Sequence, residues 1–205
     1  MKKKILLLFV LLTVALLCLT ACNNPSVNDL QKINDLLKID YSKVTVLVNT
    51  KTATTELNGN FVLTFDGEDT TIKYEFDRVN TFDADSNGNI AYPDGDFIVR
   101  EKGEVVVRDG AIIDGDTNVQ LNLNELRITG FSFKQAYFNN ANLKNAKFEA
   151  DVVNPQKFTG DEGLICDDMH VIVFRDINAN ILTKIELTYT AENGAEVKLS
   201  YLFTK

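Results

Sequence analysis

Apolar residues recur at every second position over most of the chain. Val44, Val46 and Val48 follow this pattern first, and Phe61, Leu63 and Phe65 repeat it after a polar interval. A period of two places alternate side chains on one face of a strand, so these segments are predicted β-strands. Asp66–Asp69 and the Asp-Gly pair after Arg108 are typical hairpin turns.

The carboxyl-terminal part of the chain predicts an antiparallel meander. Its three predicted strands are His170 to Phe174, Ile181 to Tyr189 and Val197 to Phe203, and short polar turns separate them. The last two strands alternate cleanly between apolar and polar residues, which predicts one dry and one wet face. A βαβ rhythm does not occur, so a doubly wound nucleotide-binding fold is not expected.

One segment near the amino terminus has helical spacing instead. Ser26 and Asp29 form a capping-box variant, and an apolar stripe follows at three- and four-residue intervals. The stripe consists of Val27, Leu30, Ile33, Leu36 and Leu37. We therefore predict a mainly β (α+β) fold, with one long curved antiparallel sheet of about eight to ten strands. The amphipathic helix is predicted to pack on its concave face.

The segment from Leu121 to Phe148 allows two interpretations. Ala136, Ala141 and Ala146 recur every five residues, which resembles the pattern of pentapeptide-repeat proteins, although the register covers too little chain for a stacked solenoid. Alternatively, the segment is a short helix or loop that closes the sheet, and Phe148 begins a strand that Asn154-Pro155 ends. Its core side chains would then be Phe131, Phe133, Tyr137, Phe138 and Leu143.

The first 22 residues have the order of a secretory signal peptide. Three lysines follow Met1, an apolar tract runs from Ile5 to Leu19, and small residues precede Cys22. Leu19-Thr20-Ala21-Cys22 resembles the lipobox of bacterial lipoproteins. The resemblance implies a diacylglycerol on the Cys22 sulfur and cleavage before Cys22. An uncleaved transmembrane anchor is the competing interpretation, because the apolar tract reaches the lower limit of a membrane span.

This interpretation divides the chain into a signal peptide (1–21), a lipidated tether (22–25) and one β-rich domain (26–205). The destination would be the extracytoplasmic face of the cell membrane. Loss of three leader lysines leaves 18 basic and 29 acidic residues, a net charge of −11. Such a charge argues against nucleic acid as a partner and leaves membrane attachment to the acyl chains.

An acidic loop offers one candidate metal site. Asp83, Asp85, Asn87, Gly88, Asn89 and Asp94 match a D-x-D-x-N-G-x5-D pattern. This resembles the calcium loops of EF-hand and dockerin-type proteins, and the resemblance implies side-chain oxygen ligands from Asp83, Asp85, Asn87 and Asp94 and a carbonyl ligand from Asn89. Pro93 and the strand-like flanks depart from that family. A plain Asn-Gly turn is the alternative, and any calcium binding is expected to be weak.

Catalytic patterns are few. His170 is the single histidine and is predicted to be a solvent-facing strand residue, with an acid–base role beside Asp167 and Asp168 as the alternative. Cys166 is the sole thiol of the predicted domain, and the adjacent aspartates are expected to raise its pKa. We therefore expect no catalytic residues and no tightly bound cofactor.

The order of lipidated cysteine, helix and long sheet resembles the half-barrel lipoproteins and carriers of the LolA/LppX type. That resemblance implies an apolar cavity that carries a lipid or another hydrophobic small molecule. The residues themselves favour a non-catalytic binding or interaction module, with such a carrier second and an enzyme third. A carrier requires a deep apolar pocket under the helix, whereas an interaction module has a filled core.

Overall fold

The computed structural model of the protein describes residues 24–53, 55–80, 97–109, 111–115, 126 and 130–205. Over these residues the chain forms ten strands, two α-helices and a short 3₁₀ helix. The strands are β1 (Lys43–Lys51), β2 (Thr55–Asp66), β3 (Asp69–Asn80), β4 (Phe97–Arg108), β5 (Ala111–Gly115), β6 (Phe138–Lys144), β7 (Lys147–Val152), β8 (Cys166–Asp176), β9 (Ile181–Ala191) and β10 (Glu196–Thr204). The helices are α1 (Val27–Leu37), α2 (Pro155–Thr159) and the 3₁₀ helix Gln135–Tyr137.

All ten strands belong to one antiparallel sheet, so the predicted fold class is confirmed. The order across the sheet is β5-β4-β3-β2-β1-β10-β9-β8-β7-β6. Two five-stranded meanders are therefore joined where the first strand pairs with the last, from Lys43 opposite Thr204 to Lys51 opposite Glu196. Among the described strands, β5 and β6 form the two edges of the sheet.

The predicted alternation builds one apolar face that crosses the whole sheet. Val46 lies opposite Phe61 on β2 and Tyr201 on β10, and Phe61 lies opposite Tyr74 on β3. Because paired residues point to the same side, their side chains form continuous buried rows. Phe65 was predicted to join this face but is 37% exposed, since it lies at the end of β2 beside the hairpin turn.

Helix α1 packs on β9 through this apolar face. The capping box is present as predicted, because the Ser26 hydroxyl accepts a hydrogen bond from the Asp29 amide and the Asp29 carboxylate accepts one from the Ser26 amide. Leu30, Ile33 and Leu36 are buried. Val27 was predicted on the same stripe but is 67% exposed.

Two polar contacts fix the position of α1. The Asn34 side chain donates to the Phe133 carbonyl at 2.9 Å and accepts from the Phe133 amide at 2.8 Å. The buried Tyr41 hydroxyl donates to the Leu36 carbonyl and accepts from the Leu182 amide, both at 2.9 Å. An isolated helix of 11 residues is marginal in water, so these contacts and the buried leucines hold it in place.

Aromatic rings fill the space between the sheet and the segments that cross it. Ring centroids of neighbouring pairs lie 5.2 to 5.7 Å apart, mostly in edge-to-face contact. This aromatic cluster consists of Phe131, Phe133, Phe138, Phe148, Phe158 and Tyr201. Each of the six side chains is at most 8% exposed.

The segment before Phe148 is a strand where the sequence suggested a helix or loop. Strand β6 pairs with β7 through a hairpin, with an irregular register between Asn139 and Asn142. Asn140 and Asn145 adopt left-handed backbone conformations, which asparagine tolerates better than most residues. The five-residue spacing thus reflects a bulged hairpin. Phe131, Phe133 and Phe138 are core residues as predicted, and Tyr137 and Leu143 are partly buried.

The Asn-Pro pair ends β7 as predicted and also begins α2, which the sequence analysis missed. The Asn154 side chain accepts from the Lys157 amide, Pro155 occupies the first turn, and Gly160 ends the helix in a left-handed conformation. The helix places Phe158 in the aromatic cluster, and the Phe158 carbonyl accepts from the Ser132 amide at 2.8 Å. It therefore connects the cluster to the backbone that crosses the sheet.

Candidate functional site

The face of the sheet opposite the core is polar and carries the clearest candidate surface. Strand pairing places Glu75, Asn60, Leu47 and Ser200 in one row across β3, β2, β1 and β10. Asp77, Asn58, Asn49 and Lys198 form the next row. Both rows point away from the buried valines and phenylalanines, because they occupy the alternate positions of the same strands.

These two rows line a groove of about 400 Å³, which we call the polar groove. A second depression of about 540 Å³ continues it toward β4 and shares Asn60 and Glu75 with it. Within the groove the Asn49 amide donates to the Asn58 carbonyl oxygen at 2.6 Å. The Asn58 amide in turn donates to the Glu56 carboxylate at 3.2 Å. The amide side chains are thereby oriented, which favours recognition of a hydrogen-bonding ligand over an apolar one.

Charged pairs border the polar groove. Lys73 lies 3.3 Å from Glu104, and Arg100 lies 3.2 Å from Asp77. All four side chains are at least 45% exposed, so each pair contributes little to stability. Their charges largely cancel. The lining of the groove therefore combines amide and hydroxyl groups with charges of both signs, including Glu75 and Lys198.

A second polar cluster surrounds His170 on β8. Its Nδ1 lies 2.8 Å from an Asp151 oxygen and its Nε2 lies 3.3 Å from a Glu149 oxygen, both on β7. Asn140 on β6 donates to the other Asp151 oxygen at 2.7 Å, and Lys147 pairs with Glu149 at 2.5 Å. The sequence suggested Asp167 and Asp168 as neighbours, but the contacts come from the adjacent strand. His170 is partly exposed and not freely solvated.

The two carboxylates of this His170 cluster have lowered pKa values. The Asn140 hydrogen bond is the main cause for Asp151, followed by the contact with His170. For Glu149 the main cause is the hydrogen bond from Lys147. Because hydrogen bonds to the ionised form favour it, both groups stay charged to lower pH than a free carboxyl. The cluster thus connects the edge strand β6 and its neighbour β7 to β8.

Cys166 begins β8 and is half-buried. Burial raises the pKa of its thiol, and the nearby Asp167 carboxylate raises it further. The predicted direction is confirmed, although burial is the larger cause. A thiol with a raised pKa is a poor nucleophile at neutral pH.

The remaining predicted site residues lie outside the described residues. These are the lipobox Leu19, Thr20 and Ala21 with the lipidated Cys22, and the calcium-loop residues Asp83, Asp85, Asn87, Asn89 and Asp94. Within the described ranges, no group of three or more His, Cys, Asp or Glu side chains has the geometry to hold a metal ion. The helices of those ranges include none with the length and apolar character needed to span a membrane.

Comparison with known proteins assigns this chain to no family. No protein-family model and no curated protein matches this chain in sequence. Among solved structures, an inactive mutant of the CurJ dehydratase in complex with a compound is 8% identical, with 85% of this chain and 79% of that chain covered and a TM-score of 0.19. An N-terminal dehydratase from the difficidin assembly line is 9% identical over 86% and 84%, with a TM-score of 0.13. Neither likeness carries an argument about this chain.

The polar groove was not predicted, although the sequence contains part of its signal. Asn58 and Asn60 alternate with Gly59 and Phe61, which places both amides on the outward face of β2. Their neighbours Asn49 and Lys198 come from strands that are distant in sequence. Only the pairing of β1 with both β2 and β10 brings these side chains together.

Proposed function

We propose that this protein is a lipid-anchored, extracytoplasmic binding module of a bacterial membrane. In this proposal Cys22 carries the anchor, and the polar groove is the recognition surface. The observation that carries the binding assignment is the filled core beneath α1. Among the described residues, the polar face is therefore the surface that we propose for a ligand.

The filled core favours a binding module over a carrier of hydrophobic ligands. The aromatic cluster occupies the space between the sheet and the crossing segment 130–133, and Leu30, Ile33 and Leu36 close the space under the helix. Each of these helix side chains is at most 5% exposed. A bound acyl chain would need several hundred cubic ångströms of apolar space, and these side chains occupy that position.

The polar groove supports recognition of a ligand rich in hydrogen-bonding groups. Asn49, Asn58, Asn60 and Ser200 present amide and hydroxyl groups on rigid, paired strands. Because these side chains lie on strands and not on loops, little conformational entropy is lost when a ligand binds. The groove is shallow and open, which suits a polymer or a protein segment better than an enclosed small molecule.

The His170 cluster supports a non-catalytic assignment. Both ring nitrogens lie within hydrogen-bond distance of carboxylate oxygens. A general base needs a ring nitrogen directed at the group that loses its proton. In this geometry both nitrogens are directed at Asp151 and Glu149, which explains the cluster as a contact between strands.

Fatty-acid labelling with intact-mass analysis tests the anchor. We expect Cys22→Ala to abolish acylation and to leave the leader uncleaved, because cleavage follows lipid attachment in the lipoproteins that the lipobox resembles. Cys18→Ala is the matched control, because that cysteine lies in the predicted leader and should be removed with it. Acylation that survives Cys22→Ala, or loss of acylation in Cys18→Ala, would contradict the proposal.

A further inference from the structure

The beginning of the described chain lies against one edge of the sheet. Asn24 and Pro25 line a cleft of about 200 Å³ together with Leu30 of α1 and Phe138 to Ala141 of β6. Pro25 is buried. Asn24 and Pro25, the described part of the predicted tether, therefore lie beside the β6 edge and not beside β5 at the other side of the sheet.

Covalent geometry fixes how far the anchor can lie from this edge. Consecutive Cα atoms are ~3.8 Å apart, so Cys22 lies within roughly 8 Å of Asn24 in any conformation. Nine strand spacings separate β6 from β5, which is roughly 40 Å along the sheet. A lipid on Cys22 therefore holds β6 at the bilayer and leaves β5 remote from it.

The charge distribution agrees with this orientation. The segment 130–152, which includes β6 and β7, contains Lys134, Lys144 and Lys147 against Glu149 and Asp151, and Lys147 pairs with Glu149. The segments 55–80 and 97–115 together contain ten acidic and five basic residues. An anionic bilayer attracts basic segments within a Debye length and repels acidic ones.

The chemistry of the β6 side also suits the membrane–water interface. Lys134 lies over the Tyr137 ring, with its Nζ 5.6 Å from the ring centroid. Val27 is 67% exposed in the first turn of α1. Tyrosine and lysine are typical of the headgroup region, where an aromatic body and a charged end are both solvated.

We infer that the β6 edge and the first turn of α1 form a membrane-docking surface for an anionic bilayer. The inference rests on the proposed lipid anchor at Cys22. The polar groove on β1, β2, β3 and β10 then lies four or more strands from the bilayer and faces partners in the surrounding medium. The sheet acts as a spacer between the anchor and the recognition surface.

The chain contains no tryptophan, so the fluorescence of a single introduced tryptophan reports how close that position lies to the bilayer, without background from other tryptophans. The acylated protein is reconstituted in vesicles of phosphatidylglycerol and phosphatidylcholine, with a nitroxide on the phosphatidylcholine headgroup. We expect Val27→Trp to lose most of its fluorescence. Ile113→Trp, an exposed position on β5, is the matched control and should keep its fluorescence.

Charge reversal tests the contribution of the lysines. In the Val27→Trp background, Lys134→Glu with Lys144→Glu should reduce quenching on anionic vesicles. Lys73→Glu with Lys102→Glu makes the same change of charge on β3 and β4 and should leave quenching unchanged. Equal effects of the two pairs would contradict a docking surface at β6.

Intact mass and vesicle flotation separate the two proposals. An unacylated protein that does not float overturns the proposed function, and the docking surface with it. An acylated protein that floats while Ile113→Trp is quenched as strongly as Val27→Trp overturns the docking surface alone. Strong quenching at Val27→Trp with little at Ile113→Trp supports it.

Discussion

Tyr41 shows how a single side chain connects the helix to the sheet. Its hydroxyl satisfies the Leu36 carbonyl at the end of α1 and the Leu182 amide at the start of β9. Both backbone groups are buried at this point, and burial raises the pKa of the Tyr41 hydroxyl. A buried polar group that loses its partner costs more than a hydrogen bond contributes when it is formed.

Tyr41→Phe should therefore lower the free energy of unfolding by about 1–3 kcal/mol, because the buried Leu182 amide loses the Tyr41 hydroxyl as its acceptor and the Leu36 carbonyl keeps only the contact from the Ile39 amide. Denaturant unfolding measures the change. Tyr137→Phe is the control, since the Tyr137 ring is only partly buried, and we expect a change within about 0.5 kcal/mol. Similar losses in both variants would show that the Tyr41 hydroxyl has no special role.

The His170 cluster predicts a pH dependence whose sign follows from its carboxylates. Folding lowers the pKa of Asp151, so the ionised group contributes stability at pH values above its unfolded pKa. That contribution is lost as the pH falls through the folded pKa. The stability difference between the wild type and Asp151→Asn should thus shrink as the pH falls below about 4.

Because Asp151 is partly exposed, we expect a difference below about 1 kcal/mol at neutral pH. Thermal unfolding of both proteins across the acid range gives the comparison. Asp161→Asn serves as the control for an acidic side chain outside the cluster. A difference that grows toward acid would contradict the assigned direction of the Asp151 pKa.

At the element scale, the contact of α1 with segment 130–133 depends on Asn34. The Asn34 side chain donates one hydrogen bond to the Phe133 backbone and accepts one from it, as a neighbouring strand would. These two bonds set the position of the aromatic cluster against the helix. We expect Asn34→Ala to destabilise the fold by about 1–3 kcal/mol, despite the better helix propensity of alanine. Asn28→Ala makes the same change on the exposed side of α1. If both variants unfold at the same denaturant concentration, the Asn34 contact is unimportant.

Aromatic rings cover glycines within the sheet. Tyr74 on β3 lies over Gly103 on β4, and a Cβ at Gly103 would be 2.5 Å from the Tyr74 hydroxyl oxygen and 2.7 Å from its Cζ. Gly103→Ala should therefore cost about 1–3 kcal/mol, because the ring must move. Gly163→Ala, whose Cβ would meet its nearest atom at an ordinary 3.5 Å, should be neutral. A neutral Gly103→Ala would contradict the packing of Tyr74.

The elements that the sequence predicted are those with regular spacing. Helix α1, its capping box and the alternating strands follow from local patterns that tertiary contacts then reinforce. Strand β6 was missed, because its bulge and the left-handed Asn140 break the alternation that would reveal it. Helix α2 has only five residues, which is too short for a periodic signal.

At the scale of the whole molecule, the pairing of β1 with β10 assembles the surface that we propose as the recognition surface. It joins two meanders, creates one continuous apolar face and assembles the polar groove from four strands. No local pattern indicates which distant strand closes a sheet. The outward alternation was therefore predictable, whereas the groove and the His170 cluster were not.

The proposed lipid anchor and the filled core under α1 are consistent with each other. In the proposal, acyl chains keep an acidic domain at a membrane, and phenylalanine rings fill the described part of the core under α1, where a carrier would bind its lipid. The proposed lipid on Cys22 is then an anchor and not a cargo. The proposed docking surface places the β6 edge beside this anchor and the polar groove away from it.

Native mass spectrometry of the protein extracted from its own membrane tests this account most directly. We predict a chain that begins at Cys22, carries covalent diacylglycerol and releases no further lipid when it is activated in the gas phase. A chain with a free Cys22 thiol or a retained leader would contradict the anchor. Co-purified lipid that is bound non-covalently to the folded protein would contradict the filled core and favour a carrier.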